Sequence, residues 1–100
     1  MSGGTSSPWD DRAELEGHVG QDVVLDTRGD IVYVGRLARV LDSFYELADA
    51  DVHDCIAGRT SKEVYVMDAR KHGIKRNRAR VLVRKAEIVS ISKMSEVLEY

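Results

Sequence analysis

The chain has a single cysteine, Cys55, so no disulfide can form within it, and a reducing compartment is the natural reading. It has no apolar run near the roughly 20 residues needed to span a bilayer. Its opening residues, Met1-Ser2-Gly3-Gly4-Thr5-Ser6-Ser7, lack the basic and apolar parts of a secretion signal. These absences lead us to expect a cytoplasmic protein with no membrane partner. An excess of charge is missing too: 15 Lys and Arg against 17 Asp and Glu leave a formal net charge of -2, too small to announce a partner. No glycine-rich loop has the spacing to cradle phosphates, and no carboxylate pair is placed for acid–base work. His53, Cys55 and His72 are zinc-ligand types, but their spacing matches no tight ligand pair. Cys55 with a histidine would also lack the third group and oxyanion device that nucleophilic catalysis needs. The sequence therefore predicts no enzyme, no metal, no cofactor and no catalytic residue.

What is present fits one small domain. With 100 residues, 43% hydrophobic and 32% charged, the chain can build a modest core and leaves much of its surface exposed. Charge is patterned locally. Arg70, Lys71, Lys75, Arg76, Arg78, Arg80, Arg84 and Lys85 follow one another with no acid among them, whereas Asp42, Glu46, Asp49, Asp51 and Asp54 lie in a stretch without Lys or Arg. Two readings follow: solvated or mutually neutralising faces, or a nucleic-acid footprint.

Hydrophobic periodicity orders the elements. Residues 1–7 are small and polar and predict a disordered tail. Ser7-Pro8 supplies a cap and a first helical position, and Gly17 ends the short helix that follows. From Gln21 to Thr27 the period is two, Arg28-Gly29-Asp30 makes a turn, and the return strand runs from Ile31 to Leu41. Gly35 inside that strand predicts a sharp bend. A third strand spans Phe44 to Val52. Thr60 and Glu63 have capping-box spacing, and Arg70, Lys71, His72 and Gly73 suit a helix end, so residues 61–72 read as a helix with Val64, Met67 and either Ala69 or Lys71 sharing one face. Ala79–Val83 and Glu87–Ser92 read as two further strands, and residues 94–100 as a C-terminal tail with one loose turn.

Two segments carry a family likeness. Gly35-Arg36-Leu37 followed by Asp42-Ser43-Phe44-Tyr45-Glu46-Leu47 resembles the first Sm motif. Val81-Leu82-Val83-Arg84-Lys85-Ala86-Glu87-Ile88-Val89-Ser90-Ile91-Ser92 resembles the second. Over residues 8–93 the order of elements is similar to that of the Sm-like (LSm) family, as a divergent bacterial or phage-type member. The likeness implies a mostly β fold: a five-stranded, strongly bent open barrel with an N-terminal helix, here with a helical insertion between strands 3 and 4. It also implies a homo-oligomeric ring joined through edge strands, which would remove the two exposed edges of an open barrel. Such rings commonly bind single-stranded, uridine-rich RNA.

Carried over by position, the likeness implies RNA-binding residues Tyr45, Glu46, Arg84 and Lys85, with base stacking on Tyr45 and a guanidinium beside it. The chain departs from the family pattern at Glu46, where the family has Asn, and at Lys85, where it has Gly. The segment from Leu37 to Asp42 is one residue longer, which a bulge would absorb. An ionised Glu only accepts hydrogen bonds and repels phosphate. The alternative expectation is therefore an oligomeric protein-interaction scaffold that no longer recognises uridine.

Overall fold

The computed structural model describes residues 12–99. The disordered tail and the Ser7-Pro8 helix start expected from the sequence lie outside the described residues. The order is α1 (Arg12–Glu16), β1 (Asp22–Thr27), β2 (Ile31–Val40), β3 (Phe44–Asp54), α2 (Cys55–Gly58), α3 (Lys62–His72), β4 (Arg78–Arg84) and β5 (Ile88–Lys93), with 3-10 turns at Lys85–Glu87 and Met94–Glu96. All strand pairs are antiparallel, and the sheet runs β4-β3-β2-β1-β5. The mostly β, five-stranded bent barrel with its helical insertion is thus present, and α2 is a four-residue addition that the periodicity did not announce.

Curvature comes from two irregularities in the β2–β3 ladder. Val34 pairs with Asp51 and Arg36 with Ala48, so Gly35 faces the two residues Asp49 and Ala50. A Cβ at Gly35 would stand 2.8 Å from the Ala50 Cα, closer than carbon atoms pack, which is why the strand carries glycine at its bend. Asp49 takes the left-handed conformation, at φ 51°, which a short polar side chain tolerates. Nearer the turn, Leu37 pairs with Leu47 and Arg39 with Glu46, so Ala38 is looped out. The extra residue of the Leu37–Asp42 segment is absorbed there, as a bulge.

Bending gives the sheet two cores. On the concave side Val23, Leu25, Leu37, Tyr45, Leu47, Ala50 and Val83 pack together, with Leu15 and Val19 from α1 and its following turn closing over them. Fully burying a leucine such as Leu25 or Leu47 contributes about 1.5–3 kcal/mol, so this cluster is the main apolar stabilisation of the fold. On the convex side Val24, Val32 and Val34 are covered by Ala69, Tyr65 and Val66 of α3 and by Met94.

The insertion helix differs in detail from its sequence reading. Ser61 caps it by accepting from the Val64 N–H, while the Thr60 hydroxyl donates to the Gly58 carbonyl, so the cap sits one residue later than the Thr60–Glu63 spacing suggested. Its packed side carries Tyr65, Val66 and Ala69, and Val64 is exposed, because the helix rests on the sheet through the i, i+4 pair Tyr65–Ala69. Gly73 closes it with a positive φ of 92° and donates its N–H to the Ala69 carbonyl.

Candidate nucleic-acid interface

The two motif segments, far apart in sequence, meet at one end of the sheet. Phe44 pairs with Arg84 on the β3–β4 ladder, and the Lys85 N–H donates to the Ser43 carbonyl at 2.9 Å. The Leu41 N–H donates to the Phe44 carbonyl at 2.8 Å and closes the β2–β3 turn. The β2–β3 and β4–β5 turns are therefore fastened to each other and form a single platform.

Strand alternation then sorts the side chains. Tyr45 and Leu47 point into the concave core, so Phe44 and Glu46 share the opposite face. Tyr45 is only 9% exposed, lies between its register partners Val40 and Val83, and carries the Lys85 ammonium 5.6 Å from its ring centroid. Phe44 is half-buried, and the Arg84 guanidinium carbon stands 5.9 Å from its ring centroid. At such distances a cation is held by the ring quadrupole, so each cation of the β4–β5 turn sits against one aromatic of β3. Between α1 and these turns lies a cavity of about 350 Å³ lined by Leu15, Val40, Asp42 and Lys85.

Glu46 is not an open acid. Its carboxylate Oε1 accepts from Arg39 Nε at 3.0 Å and Nη2 at 2.6 Å, and from Arg80 Nη2 at 3.4 Å. The hydrogen bonds from Arg39 first, and from Arg80 next, hold its carboxyl below the ordinary glutamate range. Arg39 faces Glu46 directly in register, and Arg80 reaches it diagonally from beside Ala48. Neighbouring charges are matched in the same way, with Arg36 3.4 Å from Asp49 and Arg76 3.7 Å from Asp22. Of these ion pairs, Arg80–Glu46 joins the basic stretch of the sequence to the acidic one, and the others draw a partner from outside those stretches.

The residues weighed for metal chemistry are used structurally. The His53 ring stacks on Tyr65 at 4.0 Å, and the Tyr65 hydroxyl donates to the buried Asp51 carboxylate. Burial, then that bond, pushes the Tyr65 hydroxyl well above the tyrosine range. Asp54 caps α2 by accepting from the Ile56 and Ala57 N–H groups, burial pushes the Cys55 thiol up, and His72 ends α3. Among the described residues no three His, Cys, Asp or Glu groups come together as a metal ion would require, and no helix is long and apolar enough to cross a membrane.

Of the four residues carried over from the motif likeness, the structure brings Arg84 and Lys85 to the platform, sets Tyr45 beneath it, and places Glu46 one step along the sheet, beneath Arg39 and Arg80. Phe44, Arg39 and Arg80 are the additions. Alternation contains the signal for Phe44: with Leu47 and Val83 in the core, Tyr45 falls inward and its neighbour falls outward.

No protein-family model matches the chain, and no curated protein matches it. Among solved structures it is similar to the Sm protein of Pyrococcus abyssii in complex with a uridine heptamer. That similarity has 17% identity and a TM-score of 0.56, covering 88% of this chain and 99% of that one. It is also similar to an Sm-like protein of Archaeoglobus fulgidus, AF-Sm2, at 16% identity and a TM-score of 0.56, covering 89% of this chain and 96% of that one. Both neighbours are archaeal, and both place this fold among the Sm-like folds.

Proposed function

We propose that the protein binds single-stranded RNA as a homo-oligomeric ring, at the platform formed by the β2–β3 and β4–β5 turns. The observation that carries this reading is the pairing of Phe44 with Arg84 at the sheet end, with Lys85 fastened beside it. A base stacks on the Phe44 ring, Arg84 stacks or donates at its edge, and Lys85, seated over Tyr45, adds a cation toward the strand. A Sm protein of this fold solved with a uridine heptamer supports the choice of ligand class.

The sheet order supports the ring. β4 and β5 are the outer strands, at opposite ends of the sheet, and carry the exposed apolar side chains Leu82 and Val89. Pairing β4 of one copy with β5 of the next is a head-to-tail contact, and repeating it closes a ring when the rotation allows. Closure brings several platforms around one axis, so a single strand meets the site repeatedly and affinity is multiplied.

Native mass spectrometry of nuclease-treated protein, with and without a uridine heptamer at low salt, tests both parts. A closed oligomer that takes up the RNA is expected. A ring that takes up neither uridine-rich nor adenine-rich RNA would reject RNA binding and favour the protein scaffold, and a monomer would reject the assembly.

A further inference from the structure

We infer that Arg39 and Arg80, held together by Glu46, form a clamp for a phosphate of the bound strand, one step along the sheet from the Phe44 platform. This rests on the RNA reading above and adds to it a backbone site on the convex face of β2, β3 and β4. The side chain of Glu46 is 12% exposed, and those of Arg39 and Arg80 are 60% and 58% exposed. The carboxylate therefore lies beneath the two guanidiniums, and the charge that faces solvent is theirs. A guanidinium has five N–H donors, and only two from Arg39 and one from Arg80 are directed at Oε1. The rest remain to meet an anion, in the fork geometry that suits phosphate oxygens.

Two arginines with long, mobile side chains would repel each other and lose much rotamer freedom on binding a phosphate. A shared carboxylate removes the repulsion and fixes both heads beforehand, so less freedom is lost on binding. The spacing also fits. Phe44 and Glu46 are two strand residues apart on one face, about 7 Å, so a base on Phe44 brings its own sugar-phosphate toward Arg39 and Arg80. Ala48, the register partner of both Arg36 and Arg80, leaves the floor of the face low. Glu46 is thus a positioning residue, and an acid at this position strengthens a phosphate contact instead of opposing it.

The test is fluorescence anisotropy of labelled uridine and adenine heptamers across a salt series, on the full chain, with native mass and thermal melting confirming assembly. Arg39→Ala and Arg80→Ala are expected to weaken both RNAs alike, by about three- to tenfold, and to lower the slope of log K against log salt by about 0.7 for each lost contact. Glu46→Ala removes a negative charge beside a polyanion yet is expected to weaken binding, and Glu46→Gln, which still accepts from the guanidiniums but leaves their repulsion, to restore part of it. If the unaltered ring binds RNA while the arginine variants leave affinity and slope unchanged, or Glu46→Ala binds as well as Glu46→Gln, the clamp is rejected and the RNA reading stands. If the unaltered ring binds no RNA, both fall.

Discussion

Phe44 and Arg84 face each other across the last rung of the β3–β4 ladder, with the guanidinium 5.9 Å from the ring centroid, while Tyr45, one residue on, is turned into the core. An aromatic ring beneath a cation is a stacking surface only where a base can reach its face. The expected outcome is that Phe44→Ala weakens binding of a uridine heptamer by about 1–3 kcal/mol, the value of one base–aromatic stack. Arg84→Ala should weaken it in the same direction. Tyr45→Phe, which keeps the ring that fills the core, should bind within about twofold of the unaltered protein, as isothermal titration calorimetry would measure. Unchanged binding in Phe44→Ala would remove the stacking role from Phe44, and loss in Tyr45→Leu in a protein that still folds would return it to Tyr45.

Gly35→Ala tests the origin of the bend. Its Cβ would meet the Ala50 Cα and Cβ at 2.8 Å, and a main-chain atom cannot swing aside. Overpacking of this kind costs about 1–3 kcal/mol. Chemical denaturation should report that loss, and Ala50→Gly in the same chain should recover only part of it, because the main chain of residue 50 still stands in the way.

The Tyr65–Asp51 bond should matter more than a surface hydrogen bond. Asp51 is 5% exposed, and the Tyr65 hydroxyl is the donor that meets its carboxylate. Tyr65→Phe leaves that buried acceptor without this donor and is expected to destabilise the protein by about 1–3 kcal/mol. The double variant Tyr65→Phe with Asp51→Asn should lose less than the two separate losses added together, which thermal melts of the four proteins would establish.

Stability should also fall on the acid side through Glu46. Its folded carboxyl lies below the ordinary value of 4.5, owing first to the hydrogen bond from Arg39 and then to that from Arg80. A depressed folded value means the contribution is fully present above the unfolded value and is lost as pH falls through the folded one. Melting temperature plotted against pH should therefore drop more steeply below 4.5 in the unaltered protein than in Glu46→Gln. Parallel curves would show that Glu46 carries no such linkage.

Much of this architecture is legible in the residues. Alternation over Val23–Thr27 and Phe44–Val52 marks strands, Gly35 marks the bend, and the cationic run ending at Gly73 marks the close of α3, because each rests on local backbone geometry. Capping-box spacing points one residue too early, since Thr60 and Ser61 are both able to cap and only the path of the chain out of α2 selects Ser61. Periodicity groups Val64 and Met67 with Ala69 or Lys71 on one face of α3, whereas Ala69 is buried and Val64 is exposed, because the sequence does not say which side of a short helix meets the sheet. The motif likeness selects Tyr45 as the stacking aromatic, because adjacent aromatics look equivalent until the register of Leu47 and Val83 assigns one to the core.

By itself the sequence determined the strands, the bend, the helical insertion and the two Sm-like segments, since these follow from periodicity, glycine placement and capping within a few residues of chain. Only the tertiary structure decided that Phe44 meets Arg84, that Lys85 sits over Tyr45, and that Glu46 lies beneath Arg39 and Arg80. Those contacts join side chains on neighbouring strands, most of them far apart in sequence, and a one-residue bulge at Ala38 is enough to choose which side chain each of them faces.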